Sequence, residues 1–307
     1  MAAAPHTQAI RSRSTRLAGW LDREDVLGYL MVAPVVVIVI GFLAYPFYLA
    51  LSTSLTDKVI GQPPTFIGLK NYQTIWQDPI YRQAIRNTLI FTVGSVALKL
   101  PLGMTLALVL NEKIVGRKAF RSAVLLPWIV PAVLSCMAWL WMFNANFSVL
   151  NYIIVHLGIG RGVRWVSDPN MAMFSVTLVN AWRGTPFYAI TLLAGMQAIP
   201  NELYEATAID GAGRFQRFRH VTLPLVTPIL VITLLLSTIA TVSDFNVIYS
   251  LTGGGPFNST QVLATYSYAT ALGAGRMGEG AAVSLTMFPM LLALLILEVR
   301  YLTRRSA

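Results

Sequence analysis

Six long runs of apolar residues dominate this chain and leave it few ways to fold. They lie near residues 29–54, 86–110, 121–143, 171–196, 224–248 and 281–302. A helix needs about 20 residues, at ~1.5 Å each, to cross a hydrocarbon layer roughly 30 Å thick. Within lipid only helices and closed barrels satisfy every backbone polar group. Barrel strands would alternate polar and apolar residues, and these runs do not. Charged residues are 12% of the 307 and apolar ones 55%, where a soluble domain carries about 25% charged. The expected fold class is therefore all-α and polytopic, with six transmembrane helices. Pro34, Pro46, Pro101, Pro127, Pro131, Pro186, Pro228 and Pro289 fall within or near the runs and mark expected kinks.

The first run is too long for the apolar core of a signal peptide, so it reads as a retained span. Residues 1–28 before it are expected to form a cytoplasmic N-terminal segment, disordered over 1–10 and with a short interfacial helix over 12–28. Residues 29–302 then form the six-span domain, and 303–307 a cytoplasmic tail. Fourteen Lys and Arg residues lie in the N-terminal segment, the second and fourth connections and the C-terminus, against seven in the other loops. The positive-inside rule places the richer set, with both termini and the loop 202–224, in the cytoplasm.

Several chemistries are absent from the pattern. The net charge of +10 could suggest nucleic acid, but the basic residues flank apolar runs and form no single stripe. Cys136 is the only cysteine, so no intramolecular disulfide framework exists, and a buried small apolar role is expected for it. His6, His156 and His220 are scattered, with no metal-ligand spacing. No phosphate-binding loop of the Walker type is present, and no catalytic constellation stands out. The chain reads as non-enzymatic, with no metal and no cofactor of its own.

Polar residues inside the runs are the better clues, because they are costly in lipid and face a cavity or a partner. Arg183 lies in Asn180-Ala181-Trp182-Arg183-Gly184-Thr185-Pro186-Phe187, and Asp244 and Asn246 lie in Ser243-Asp244-Phe245-Asn246-Val247-Ile248-Tyr249. One reading pairs Arg183 with Asp244 as a helix lock. The other makes Asn180, Trp182, Arg183, Asp244, Phe245, Asn246 and Tyr249 the lining of a substrate path. There the aromatics, Phe187 among them, stack on sugar rings while the polar groups take hydroxyls. Asn246 is favoured as the hydroxyl partner, because an amide both donates and accepts. Asp244 and Asn246 would sit about 200° apart on a straight helix, so sharing a face requires unwinding.

Residues 202–224 form a polar island between two apolar runs. Pro200 favours a helix start, Glu202 and Glu205 complement its positive end, and Ala206 and Ala208 permit close approach. Gly211 and Gly213 supply a turn. The expected result is a compact knob of two short helices shaped to fit a groove in another protein. Glu205-Ala206-Thr207 is followed by three residues, Gly211, nine residues, Val221, Thr222 and Leu223-Pro224. This resembles the EAA loop of ATP-binding-cassette (ABC) importer permeases, with Thr207 for the last alanine and Val221 for isoleucine.

The Asp244-Phe245-Asn246 segment, the Leu251-Thr252-Gly253-Gly254-Gly255-Pro256 turn and the Gly68-Leu69-Lys70-Asn71-Tyr72 loop are similar to the carbohydrate branch, the maltose and glycerol-3-phosphate permeases. The resemblance implies a type I importer permease fold in the inner membrane. It implies a second homologous permease, two ATPase subunits holding ATP and Mg, an extracytoplasmic solute-binding protein and a sugar-type substrate. Carried over, Glu205, Ala206, Thr207, Asp210 and Gly211 form the coupling helix and its turn, within a coupling loop 197–223 that includes Glu202 and Gly213. Two alternatives stay open. An ion-coupled secondary transporter would need a carboxylate relay, and Asp244 reads as the only mid-span carboxylate. A permease for glycerol-3-phosphate-like solutes would need several basic groups, and only Arg183 and Lys99 lie within runs.

Overall fold

The computed structural model describes residues 24–112 and 115–306. Among these there is no β-strand, only two isolated antiparallel bridges, Thr56–Phe66 and Val59–Arg276. The expected disorder over 1–10 and most of the expected interfacial helix lie outside the described residues. The chain falls into two units, Met1–Ser52 and Thr53–Ala307. The described part of the first is a helix, α1 (Glu24–Ser54), which carries Pro34 and Pro46 and continues to the start of the second unit.

The second unit begins with a short outer helix, α2 (Lys70–Gln77). Asn71 from the Gly68–Tyr72 loop is buried and donates from Nδ2 to the Ser54 and Thr56 carbonyls at 2.8 and 2.7 Å, fixing where the chain leaves the preceding helix. Across the same loop Thr65 donates from Oγ1 and N to Asp57, which holds that carboxyl below the usual range.

Then come α3 (Pro79–Asn111), α4 (Arg117–Ile129), α5 (Ala132–Met142), α6 (Val149–His156) and α7 (Pro169–Gln197). Asp78 and Asp168 cap α3 and α7, each with proline in the first turn, the arrangement that satisfies orphan N–H groups and pre-sets φ. The helix pair α3–α7 packs most extensively. Glycines allow it: a Cβ on Gly103 would lie 2.2 Å from the Tyr188 Cβ, and one on Gly184 would lie 2.5 Å from the Lys99 Cε. Small residues at such crossings let backbones approach where lipid supplies no hydrophobic drive.

The remaining helices are α8 (Asn201–Ile209), α9 (Arg214–Arg217), α10 (Leu223–Val242), α11 (Asn246–Leu251), α12 (Leu263–Tyr268) and α13 (Met277–Ser306), with π-turns over Phe218–Thr222 and Ala269–Gly273. Helix α13 reaches Ser306, through most of the segment expected as a tail.

The six expected runs are helical apart from breaks at 130–131 and 243–245, and length and apolar character alone single out fewer than six spans. Among the described residues four helices are long and apolar enough to cross a membrane: Val26–Ser54, Pro79–Asn111, Arg214–Val242 and Met277–Tyr301. A fifth is the pair α4–α5, bent by 93°. The break lies at Val130, whose backbone is extended (φ −65°, ψ 131°) before Pro131, as the proline ring requires of its predecessor. Helix α7, at 29 residues, is also long enough to cross, but Asn180 and Arg183 in its middle make it less apolar than those four. The fifth run was expected to continue to 248, and instead the helix stops at Val242.

Candidate functional site

Residues 243–245 are unwound between α10 and α11, and this break organises the polar centre of the molecule. Asn180 Nδ2 donates to Asp244 Oδ2 at 2.6 Å, and the Val247 backbone N donates to Asp244 Oδ1 at 3.2 Å. The helix lock thus joins α7 to the 243–245 break through an amide. The expected Arg183–Asp244 ion pair is not formed. Among the described residues the one ion pair is Arg276–Glu279 at 2.7 Å. Arg183 stays nearby as an electrostatic neighbour, with its buried Nε lacking a partner. The reason is geometric: unwinding turns Asp244 toward position 180, while residue 183 lies most of a helical turn further along α7.

Lys99 was named in the sequence only as a residue within a run, and it belongs to this centre. It is 4% exposed, donates from Nζ to Thr241 Oγ1 at 2.9 Å, and feels both Asp244 and Arg183. Two cations and one carboxylate therefore meet where α3, α7 and the end of α10 converge. Asn180 Oδ1 is also buried without a partner.

The expected aromatics separate into two groups. Phe245 and Tyr249 stack at 4.7 Å between ring centroids, and Tyr268 joins them at 4.9 and 5.4 Å. Tyr249 and Tyr268 keep 49% and 40% of their surface exposed, enough to offer a ring face. Asn246 is exposed at the start of α11. Trp182 packs edge-on against Trp139 at 5.5 Å, and Phe187 lies 6.4 Å from Trp128, so these two also brace α7 against α5 and α4. Tyr268 and Trp139 were not singled out from sequence. Tyr268 lies outside the six runs, and Trp139 is one of several aromatics in its own.

A further carboxylate lies near the end of the last run. Glu298 lies within the last span and accepts from Thr238 Oγ1 at 2.5 Å, joining α13 to α10.

The loop 197–223 folds as the two-helix knob. Glu202, Glu205, Ala206 and Asp210 are exposed, and Gly211 sits at φ +78°, where a β-carbon is strained. Thr207 is half-buried and returns its Oγ1 to the Leu203 and Tyr204 carbonyls. Gly213 is extended (φ −66°, ψ 169°), and its N donates to Gln216 Oε1 at 2.8 Å, so positive φ is needed only at Gly211. Between the two short helices lies a 290 Å³ cleft lined by Asp210, Ala212, Gln216 and His220 among others. Tyr204 OH and Thr222 Oγ1 meet at 3.0 Å, and Ile199, Val221 and Tyr204 join a core with Leu192, Met196 and Val226. The knob is thus anchored inward, while Leu203, Ile209 and Phe215 remain exposed on it.

Comparison with known proteins places the chain in a family. The family described as "Binding-protein-dependent transport system inner membrane component" matches residues 99–305. The trehalose/maltose transport system permease protein of Thermococcus litoralis is 38% identical, over 91% of this chain and 94% of its own length. The sulfoquinovosyl glycerol transport system permease protein of Agrobacterium fabrum is 33% identical over 95% of both chains. The sn-glycerol-3-phosphate transport system permease protein of the same organism is 30% identical over 92% of this chain and 96% of its own. A chain in the crystal structure of a bacterial ABC transporter involved in the import of the acidic polysaccharide alginate superposes with a TM-score of 0.79. It is 26% identical, with 94% of this chain and 99% of that chain covered. This chain therefore belongs to the ABC importer permeases, the inner-membrane components of binding-protein-dependent transport systems.

Proposed function

We propose that this permease forms half of the translocation path for a sugar or related polyol and is driven through the loop 197–223 by ATPase subunits. The observation that carries the reading is the continuity of Arg214–Val242, a helical rod of 29 residues. At ~1.5 Å per residue it is roughly 43 Å long. One end is in the knob and the other reaches the break that holds Asp244. Helix α7 makes the same connection, from Asn180 and Arg183 to Gln197 at the start of the knob.

In this reading Glu202, Glu205, Ala206, Thr207, Asp210, Gly211 and Gly213 shape the surface that docks on an ATPase, and the exposed Leu203, Ile209 and Phe215 supply its apolar contact. ATP and Mg belong to that partner, and this chain binds no cofactor. A second homologous permease completes the path, a second ATPase completes the motor, and an extracytoplasmic solute-binding protein delivers the solute. Both termini face the cytoplasm. Phe245 and Tyr249, together with Tyr268, offer ring faces to a sugar, while Asn180, Asn246 and Asp244 take hydroxyls beside Trp182 and Arg183. The polyhydroxylated solutes named for the relatives support this class.

One observation favours a second reading. Lys99 is bonded to a neutral Thr241 and lies beside Arg183, which leaves two cations facing one carboxylate. That excess suits an anionic solute of the glycerol-phosphate or sugar-acid kind. Substrate-stimulated ATPase of the complex reconstituted with its partner subunits separates the two. Stimulation by neutral di- and trisaccharides or polyols supports the first reading, and stimulation confined to phosphorylated or acidic sugars supports the second. Silence across the whole panel overturns both.

A further inference from the structure

At the face that carries the knob, two arginines converge without a counter-charge. With its amide oriented to meet the donors around it, Gln197 accepts through Oε1 from Arg121 Nη2 at 2.5 Å and from Arg117 Nη2 at 2.7 Å. One neutral oxygen thus holds two guanidiniums within reach of each other. The Nε of each is buried without a partner. No carboxylate among the described residues pairs with either, since the one ion pair is on the opposite side of the chain, at Arg276–Glu279.

Their place in the helix makes the arrangement less favourable still. Both lie in the first turns of α4, beside Lys118, with no acidic residue there and no side-chain cap. Cations at a helix N-terminus oppose the helix dipole. Arg121 gains a long contact from Nη2 to the Leu110 carbonyl, 3.5 Å away near the end of α3, and Arg117 gains no comparable one. On the arginine side of the same helix Phe120 and Trp128 are exposed, so the guanidiniums stand where an apolar helix surface meets the charged face.

We propose that Arg117 and Arg121 form a binding site for the phosphate headgroup of an anionic phospholipid, its acyl chains lying along the exposed side of α4. The planar donor fork of arginine matches phosphate oxygens, and basic pockets between spans at a membrane face select anionic headgroups. Because Gln197 leads from α7 into the knob, a headgroup that takes over the two guanidiniums frees this amide. The lipid then bears on the segment that the proposed function assigns to coupling. Binding itself does not depend on that assignment and is measured without ATP.

The full chain, co-purified with its partner subunits, is delipidated and titrated with phosphatidylglycerol in phosphatidylcholine nanodiscs, with bound lipid read by native mass spectrometry. A hydrogen bond to a charged group contributes roughly tenfold or more in affinity, against about fivefold for a basic residue that only lies near an anionic surface. Arg117→Gln/Arg121→Gln should lose roughly tenfold or more in phosphatidylglycerol retention. Lys118→Gln, an exposed cation on the same turn that adds only to the surface attraction, should lose no more than about fivefold. Arg117→Lys/Arg121→Lys should recover part of the loss. If the double variant fails to assemble, Arg117→Gln alone gives the same readout with the Arg121–Leu110 contact intact. Equal retention by wild type and the Gln variants overturns the site, and so does an equal loss in Lys118→Gln. Inorganic phosphate or glycerol phosphate displacing the lipid at micromolar concentration makes the ligand a soluble anion and overturns the lipid assignment.

Discussion

Asp244 is held by an amide, and that decides how the centre responds to substitution. Asn180→Ala removes the 2.6 Å donor from a half-buried carboxylate. Losing a hydrogen bond to a charged group costs about 1.5–3 kcal/mol, so the purified complex should melt several degrees lower. Asn180→Asp sets two carboxylates side by side and should be worse. Arg183→Ala leaves the bond intact and should assemble close to wild type. An Arg183→Ala complex as unstable as Asn180→Ala would restore the ion pair expected from sequence. The charges themselves were legible, because Arg183 and Asp244 interrupt apolar runs. Their partners were not. Asn180 and Asp244 are 64 positions apart in the chain, and only the break at 243–245 aims one at the other. Lys99 looks like any span residue until Gly184 and Thr241 are seen around it. Glu298 was hidden by its place near the end of a run.

At the scale of elements, the knob and the helix crossings obey different rules. Gly211→Val puts a β-branched residue at φ +78°, which deforms the turn whatever space surrounds it. Gly213→Ala enters an ordinary extended backbone and should be mild. Transport and ATPase coupling, assayed at equal complex yield, should therefore fall sharply in the first and little in the second. Equal effects would mean that the turn geometry is not what matters. Gly103→Ala is a packing test. Its Cβ would lie 2.2 Å from the Tyr188 Cβ, forcing α3 from α7, and such overpacking costs about 1–3 kcal/mol. Gly273→Ala meets nothing within 4 Å and should leave the melting temperature of the complex unchanged. The knob was readable because a helix start, small residues and a turn glycine are local signals. The interrupted third span was less so. Of the eight prolines that marked expected kinks, Pro34, Pro46, Pro101, Pro127, Pro186, Pro228 and Pro289 sit within helices that they do not break, and the break falls at Pro131. Which proline opens a helix depends on neighbours that re-satisfy the freed carbonyls, and these are set by tertiary packing.

For the whole molecule, the question is whether the knob and the polar centre move as one body. Two helices join them, and Arg214–Val242 is unbroken from one to the other. Its irregularities are Pro228 within α10 and the π-turn Phe218–Thr222, directly before Leu223 and Pro224, where proline has no N–H to donate. Such turns are often functional hinges, but this one is pinned. Thr222 meets Tyr204 at 3.0 Å, and Val221 lies in the core with Leu192 and Val226. A pinned turn transmits motion and does not absorb it. Spin labels at Phe215 and Leu236, both exposed, should then be roughly 32 Å apart, for 21 residues at ~1.5 Å each. That separation should stay within about 2 Å when the complex passes between nucleotide-free and ATP-bound states, while a label at Phe215 moves relative to one at Gln62 in the outer loop. A Phe215–Leu236 distance that changes by more than about one helical turn, some 5 Å, would place a hinge at the π-turn or at Pro228. It would remove the rigid rod on which the coupling proposal rests.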